Sequence, residues 1–199
     1  ALDHQPAADA QSDSLVELAR QCDAVCFGSL AQRNDVSRAT IHRFLSQTPR
    51  RGIRVFDVNI RQHYASAEVI EQSLQSANLL KLNNEELPVV AGMLGMPAAE
   101  ELALVSELIE RYHLICLMLT KGAAGSAIYT ADDVSVCQGR DVSVIDTVGA
   151  GDSFTAAAVM GLLDHLPLNR LHQRASRIAE YVCTQPGATP VLKQELLND

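Results

Sequence analysis

Asp146-Thr147-Val148-Gly149-Ala150-Gly151-Asp152 is the stretch whose reading decides the fold. The β-branched run Val142–Ile145 leads into it, and the small-residue run Ser153–Leu163 has helical character. The pattern predicts a strand over 142–146, a glycine turn, and a helix from about 150. A helix that starts on glycines leaves backbone N–H groups free for an anion. Asp152 then falls in the first helical turn, beside that anion. A carboxylate suits this place if it collects a proton, as in phosphoryl transfer to an alcohol. On this reading Asp152 is the base, and the amides of Gly149, Ala150 and Gly151 form the anion hole. The plain alternative is that Asp152 only complements the helix dipole, by ~0.3–1 kcal/mol, and that the glycines only make a turn. Two common phosphate fingerprints are absent. No G-x-x-x-x-G-K-[ST] loop occurs, and Phe154 stands where a dinucleotide-binding turn needs its third glycine.

Working outward, the 199 residues suffice for one sizeable core, so the expectation is a single α/β domain over 1–199. A net charge of −8 with no basic run argues against nucleic acid as partner. It leaves room for a nucleotide in a locally positive pocket. The apolar runs are too short to span a bilayer, so no membrane partner is expected. No charged-then-apolar leader opens the sequence. Cys22, Cys26, Cys116, Cys137 and Cys183 are odd in number and scattered. Cys26, Cys116 and Cys137 read as small buried hydrophobes, and a reducing cytoplasm is the simplest setting. The chain opens on Ala1, its first dozen residues read as a loop entering a helix, and Gln5–Asp13 is linker-like. It therefore reads as a piece of something longer.

Strand-like and helix-like segments alternate. Strands are expected at 24–28 (short and buried), 53–58, 79–82, 113–120, 125–130, 134–137 and 142–146. Helices are expected at 35–47, 67–77, 84–94, 97–112, 150–164 and 168–184. This order predicts an α/β fold with a largely parallel sheet covered by helices. Polar residues close several strands: Asp57 and Asn59, Asn83, Thr120-Lys121-Gly122, and Asp146. Ligands of open α/β sheets bind outside the carboxyl ends of the strands, so these residues define one crevice.

Together these segments resemble the ribokinase-like sugar kinases, the PfkB-type family. Asp146–Phe154 is similar to that family's second signature, and Asp57-Val58-Asn59-Ile60-Arg61 to its D-x-N-x-R segment. Asn83–Glu86 carries its N-x-x-E. Thr120–Gly125 resembles its nucleotide-binding turn, and Gln185–Pro190 the border of its adenine pocket. The stretch from Phe27 through Asp57 is most similar to fructokinase-type members. The resemblance implies a three-layer α/β sandwich, here without the family's N-terminal sugar-binding and lid segment, and ATP-dependent phosphorylation of a sugar hydroxyl. It implies ATP contacts from Asn83, Thr120, Lys121, Gly122, Gly125, Ser176 and Gly187. It implies Mg²⁺ held through water by Glu86, with Asn83 as a second candidate, and in many relatives K⁺ on backbone carbonyls near Asp146, Val148, Cys183 and Gly187.

Plain readings stand beside these. Glu86 reads equally as an exposed carboxylate in a first helical turn, Lys121 and Arg61 as solvated cations, Gly122 and Gly125 as hairpin glycines, and Ser176 as packing. The acceptor stays open among sugars, nucleosides, sugar acids and sugar phosphates, and a nucleotide-binding remnant without turnover is the other class. A homo-oligomer is compatible with the resemblance for the intact protein. An open sheet edge with exposed apolar surface is expected where the family's first segment would lie. The six histidines form no cluster and receive no role.

Overall fold

Short apolar runs bounded by turn residues alternate with amphipathic ones, and the chain folds accordingly. The structure is a computed structural model and describes residues 7–61 and 64–197. The helices are α1 (Ala7–Gln21), α2 (Asp35–Gln47), α3 (Ala67–Ser76), α4 (Glu86–Met93), α5 (Glu101–Tyr112), α6 (Ala150–Leu163) and α7 (Leu168–Cys183). The strands are β1 (Ala24–Gly28), β2 (Ile53–Asp57), β3 (Leu79–Asn83), β4 (Cys116–Thr120), β5 (Gly125–Tyr129) and β6 (Val134–Gln138). They form one sheet in the order β1-β2-β3-β4-β5-β6. β1 to β4 run parallel, and β5 and β6 are antiparallel additions.

The sheet separates two cores, because alternate residues of each strand point to opposite faces. On one face Phe27, Phe56, Leu80, Leu82, Leu117 and Leu119 meet apolar side chains of α2 to α5. On the other, Val55, Leu79, Met118 and Ile128 meet Phe154, Ala158, Leu171 and Ile178 of α6 and α7. The result is the expected three-layer sandwich. Helix starts are set by local side chains. Asn34 accepts from the amides of Val36 and Ser37, and Ser66 from that of Val69, each offsetting donors a helix start cannot pair.

Several sequence expectations need correction. Residues 142–146 form no strand. Ile145 and Asp146 donate their amides to the Cys183 carbonyl at the end of α7, at 2.8 and 3.2 Å. β-Branched composition favours a strand only where a partner strand is offered. β1 is an edge strand rather than a buried one, with Cys26 exposed and Cys137 only partly buried; of the three cysteines read as buried, Cys116 is. The linker reading of Gln5–Asp13 fails from Ala7 onward, where α1 begins, while residues 1–6 lie outside the described residues. The helix expected from Pro97 starts at Glu101.

Candidate active site

The parallel strands bring their carboxyl ends into register. Gly28 lies beside Asp57, Asp57 beside Lys81, and Asn83 beside Thr120. The start of α6 approaches this row. Gly149 caps α6 with φ +81°, and a Cβ there would stand 2.3 Å from the Ala188 carbonyl oxygen, so only glycine fits. The Ala150 amide is spent on the Thr147 carbonyl at 3.3 Å. The amides of Gly149, Gly151 and Asp152 have no protein partner among the described residues. Of the three amides expected to form an anion hole, those of Gly149 and Gly151 are thus unpaired among the described residues, that of Ala150 is not, and the Asp152 amide is a further unpaired one.

The Asp152 side chain is exposed, and its charge reaches Asp57 across the mouth of the sheet. The other ionic feature here is one the sequence reading did not single out. Lys81 and Asp57, each 7% exposed, pair at 3.1 Å between Nζ and Oδ1. A Cβ on Gly151 would lie 3.2 Å from the Lys81 Nζ, so this buried ammonium sits directly behind the α6 amides. Burial pushes the Asp57 carboxyl up from its ordinary value, against the pull of Lys81. A lysine inside the apolar run Leu79-Leu80-Lys81-Leu82 was the available signal, since lysine is rarely buried without a partner.

Glu86 is not the exposed carboxylate of its plain reading. It is 7% exposed, and its oxygens accept from the amides of Ile60 and Asn83, both at 2.8 Å. The Asn83 side-chain oxygen caps α4 through the amides of Glu85 and Glu86. Both residues thus lock the exits of β2 and β3 together. Among the described residues no three metal-ligating side chains converge. Glu86 keeps lone pairs for a water-mediated contact, which is how Mg²⁺ is commonly held beside phosphates. Lys121 is tied elsewhere: its Nζ lies 2.7 Å from Glu101, which also accepts from Tyr129 at 2.6 Å. Although burial pulls the Glu101 carboxyl up, these two donors outweigh it and hold it below its ordinary value.

Beside this row lies a cleft of about 690 Å³, between the β5–β6 hairpin and the α6–α7 pair, within the ~300–1,000 Å³ of small-molecule sites. Six residues expected to serve a nucleotide line it: Thr120, Gly122, Gly125, Ala150, Gly151 and Ser176. Gly122 leaves open space at its Cα and admits close approach. Gly125 serves the hairpin, because a Cβ there would collide with the Cys137 carbonyl at 2.1 Å. Asn83, Lys121 and Gly187 are not on the wall. The Gly187 amide donates to the Asp146 carboxylate at 3.2 Å, and Asp146 also accepts from Val148 at 3.0 Å, fixing the 146–148 turn against the 185–190 turn. The Cys183 carbonyl, expected near a K⁺, accepts the amides of Ile145 and Asp146. Behind the cleft lies His172, fully buried and without any role in the sequence reading.

The sequence profile described as pfkB family carbohydrate kinase matches residues 2–195. The chain is 30% identical over 161 residues to a fructokinase of Escherichia coli, covering 74% of this chain and 51% of that relative. It superposes on the solved 2-dehydro-3-deoxygluconokinase of Thermotoga maritima with a TM-score of 0.79 at 17% identity, covering 92% of this chain and 60% of that one. A fructokinase of Xylella fastidiosa, solved with bound ATP, gives a TM-score of 0.74 at 20% identity, over 86% of this chain and 58% of that one. The chain thus spans about half the length of the curated relatives it matches.

Proposed function

The chain belongs to the pfkB family of carbohydrate kinases, and from that premise we propose that it supplies the nucleotide and catalytic half of an ATP-dependent kinase acting on a sugar hydroxyl, of the fructokinase kind. The observation that carries this reading is the start of α6. Three unpaired amides, a buried ammonium behind Gly151 and an exposed carboxylate on Asp152 meet at the end of a cleft of nucleotide size.

ATP would lie in the cleft along Thr120, Gly122 and Ser176, with its terminal phosphate at the amides of Gly149, Gly151 and Asp152. Phosphoryl transfer proceeds through a loose transition state, so positioning and charge stabilisation do most of the work. The amides and the Lys81 charge provide both without rearrangement. Asp152 stands on the open side of α6, where an acceptor hydroxyl would arrive, and takes its proton as the oxygen attacks. Magnesium supplies charge neutralisation between the phosphates when bound, and Glu86 would hold it through a water. Named relatives act on fructose and 2-dehydro-3-deoxygluconate. The number of fructokinases among the sequence matches favours a ketohexose for this chain.

The test is ADP release over a panel of sugars, with nucleotide affinity measured in parallel. Asp152→Asn should bind ATP within about twofold of the unaltered chain and lose ~10²–10⁴-fold in turnover. Turnover by that variant near the unaltered rate would refute the assignment of the base.

A further inference from the structure

Ser126 of β5 and Ser176 of α7 both line the cleft, and their hydroxyl oxygens lie 3.2 Å apart. Ser126 is also 2.8 Å from Nε2 of His172. The other ring nitrogen of His172, Nδ1, is 2.8 Å from the Ser135 hydroxyl on β6. The ring is fully buried and meets Phe154 edge-on, with centroids 5.9 Å apart. Four polar side chains from three elements thus form one line, from the back of the hairpin to the cleft wall.

Burial pushes the His172 imidazole down to about 4, so it is neutral at physiological pH. A neutral imidazole has one donor and one acceptor nitrogen. The Ser135 backbone acts against burial and raises the ring's affinity for a proton, as an accepting carbonyl does. The relay proposed below therefore takes Nδ1, the nitrogen that faces Ser135, as the protonated one. Nε2 is then the acceptor and receives the Ser126 O–H. The Ser126 oxygen in turn receives the Ser176 O–H. The Ser176 oxygen is left with lone pairs for the cleft and no proton to offer.

We propose that His172, though out of reach of any ligand, is a positioning residue for nucleobase choice: it fixes Ser176 as a hydrogen-bond acceptor on the cleft wall, which favours a base bearing an exocyclic amino group over its oxo counterpart. This rests on the nucleotide reading of the cleft. A mismatch between a fixed acceptor and an oxo oxygen leaves buried polar atoms unpaired, which is the strong form of discrimination by a hydrogen-bonding site.

The experiment titrates the chain with ATP and with ITP, which differ in the 6-amino and 6-oxo groups. It uses the unaltered chain, His172→Phe and Ser176→Ala, and ¹⁵N NMR reads the tautomer of His172. The expected results are a preference for ATP of about tenfold, a ratio that collapses toward one in both variants, and protonation at Nδ1. A histidine that only fills space would weaken ATP and ITP equally and leave the ratio intact, and that result overturns the proposal. So does protonation at Nε2, a measurement that needs no variant to fold. If neither nucleotide binds the unaltered chain at millimolar concentration, the nucleotide reading itself fails, and this proposal with it. If both bind with an unchanged ratio in the variants, only the relay fails.

Discussion

The two ends of one sheet face differ in how completely they are built. Over β4 to β6 the hairpin and the α6–α7 pair flank a cleft where neutral Ser126, Ser176 and His172 hydrogen-bond in a line and the charged Arg140, Asp141 and Glu180 stand on the wall. Over β1 and β2 the face is open: Cys26 is exposed, and Asp152 stands in solvent above a buried Lys81–Asp57 pair. The start of α6 joins the halves, since Ala150 and Gly151 line the cleft and Asp152 looks the other way. Under the proposed function these halves would serve the two substrates of a kinase. The open half holds the Lys81–Asp57 pair and Asp152, and the expected sheet edge is there at β1.

The comparison makes separable predictions. Lys81→Met should have the largest effect on the open half. It leaves the Asp57 carboxylate buried without its partner, which costs about 3–5 kcal/mol in other buried pairs. Urea unfolding would read it, and Asp57→Asn in the same chain should restore much of the loss. Gly149→Val tests the joint. A side chain at φ +81° is strained by about 1–3 kcal/mol, and the Ala188 carbonyl must also move. Thermal unfolding should drop, and nucleotide affinity with it.

A pH titration of stability probes the cleft half. His172 titrates at about 4 when folded against an ordinary value of 6.5. The unfolded chain therefore binds more protons between those values, and this contribution to stability grows as pH rises from 4 to 6.5. His172→Gln should flatten that part of the profile relative to the unaltered chain; an unchanged slope contradicts a buried neutral ring. The smallest effect belongs to Lys121→Ala. Its partly exposed pair with Glu101 lies off the cleft wall, so the loss should be about 0.2–1 kcal/mol, with nucleotide affinity unmoved.

Much of the fold was legible in the sequence because periodicity reports burial directly. α2 matches its expected bounds, and the parallel order of β1 to β4 follows from alternating elements. The 142–146 segment was misread because strand propensity says nothing of partners, and here the amides turn to Cys183 instead. In the site, glycine spacing located the turn that opens α6. It could not reveal that the Ala150 amide is spent on Thr147, a matter of one turn bond. Glu86 and Asn83 were found by motif, but their work as a clamp between strand exits depends on contacts distant in sequence. Lys81 and His172 were passed over for a shared reason. Each is a single polar residue in a helix or strand, and its importance comes from what folding places opposite it.

The proposed function requires the α6 amides to grip the terminal phosphate. Backbone ¹H–¹⁵N shifts recorded with ADP and with a non-hydrolysable ATP analogue test this directly, since the two ligands differ only at that phosphate. The amides of Gly149, Gly151 and Asp152 should move with the analogue and much less with ADP, while Gly122 moves with both. Saturable binding of the analogue that leaves those three amides where ADP leaves them would contradict the account.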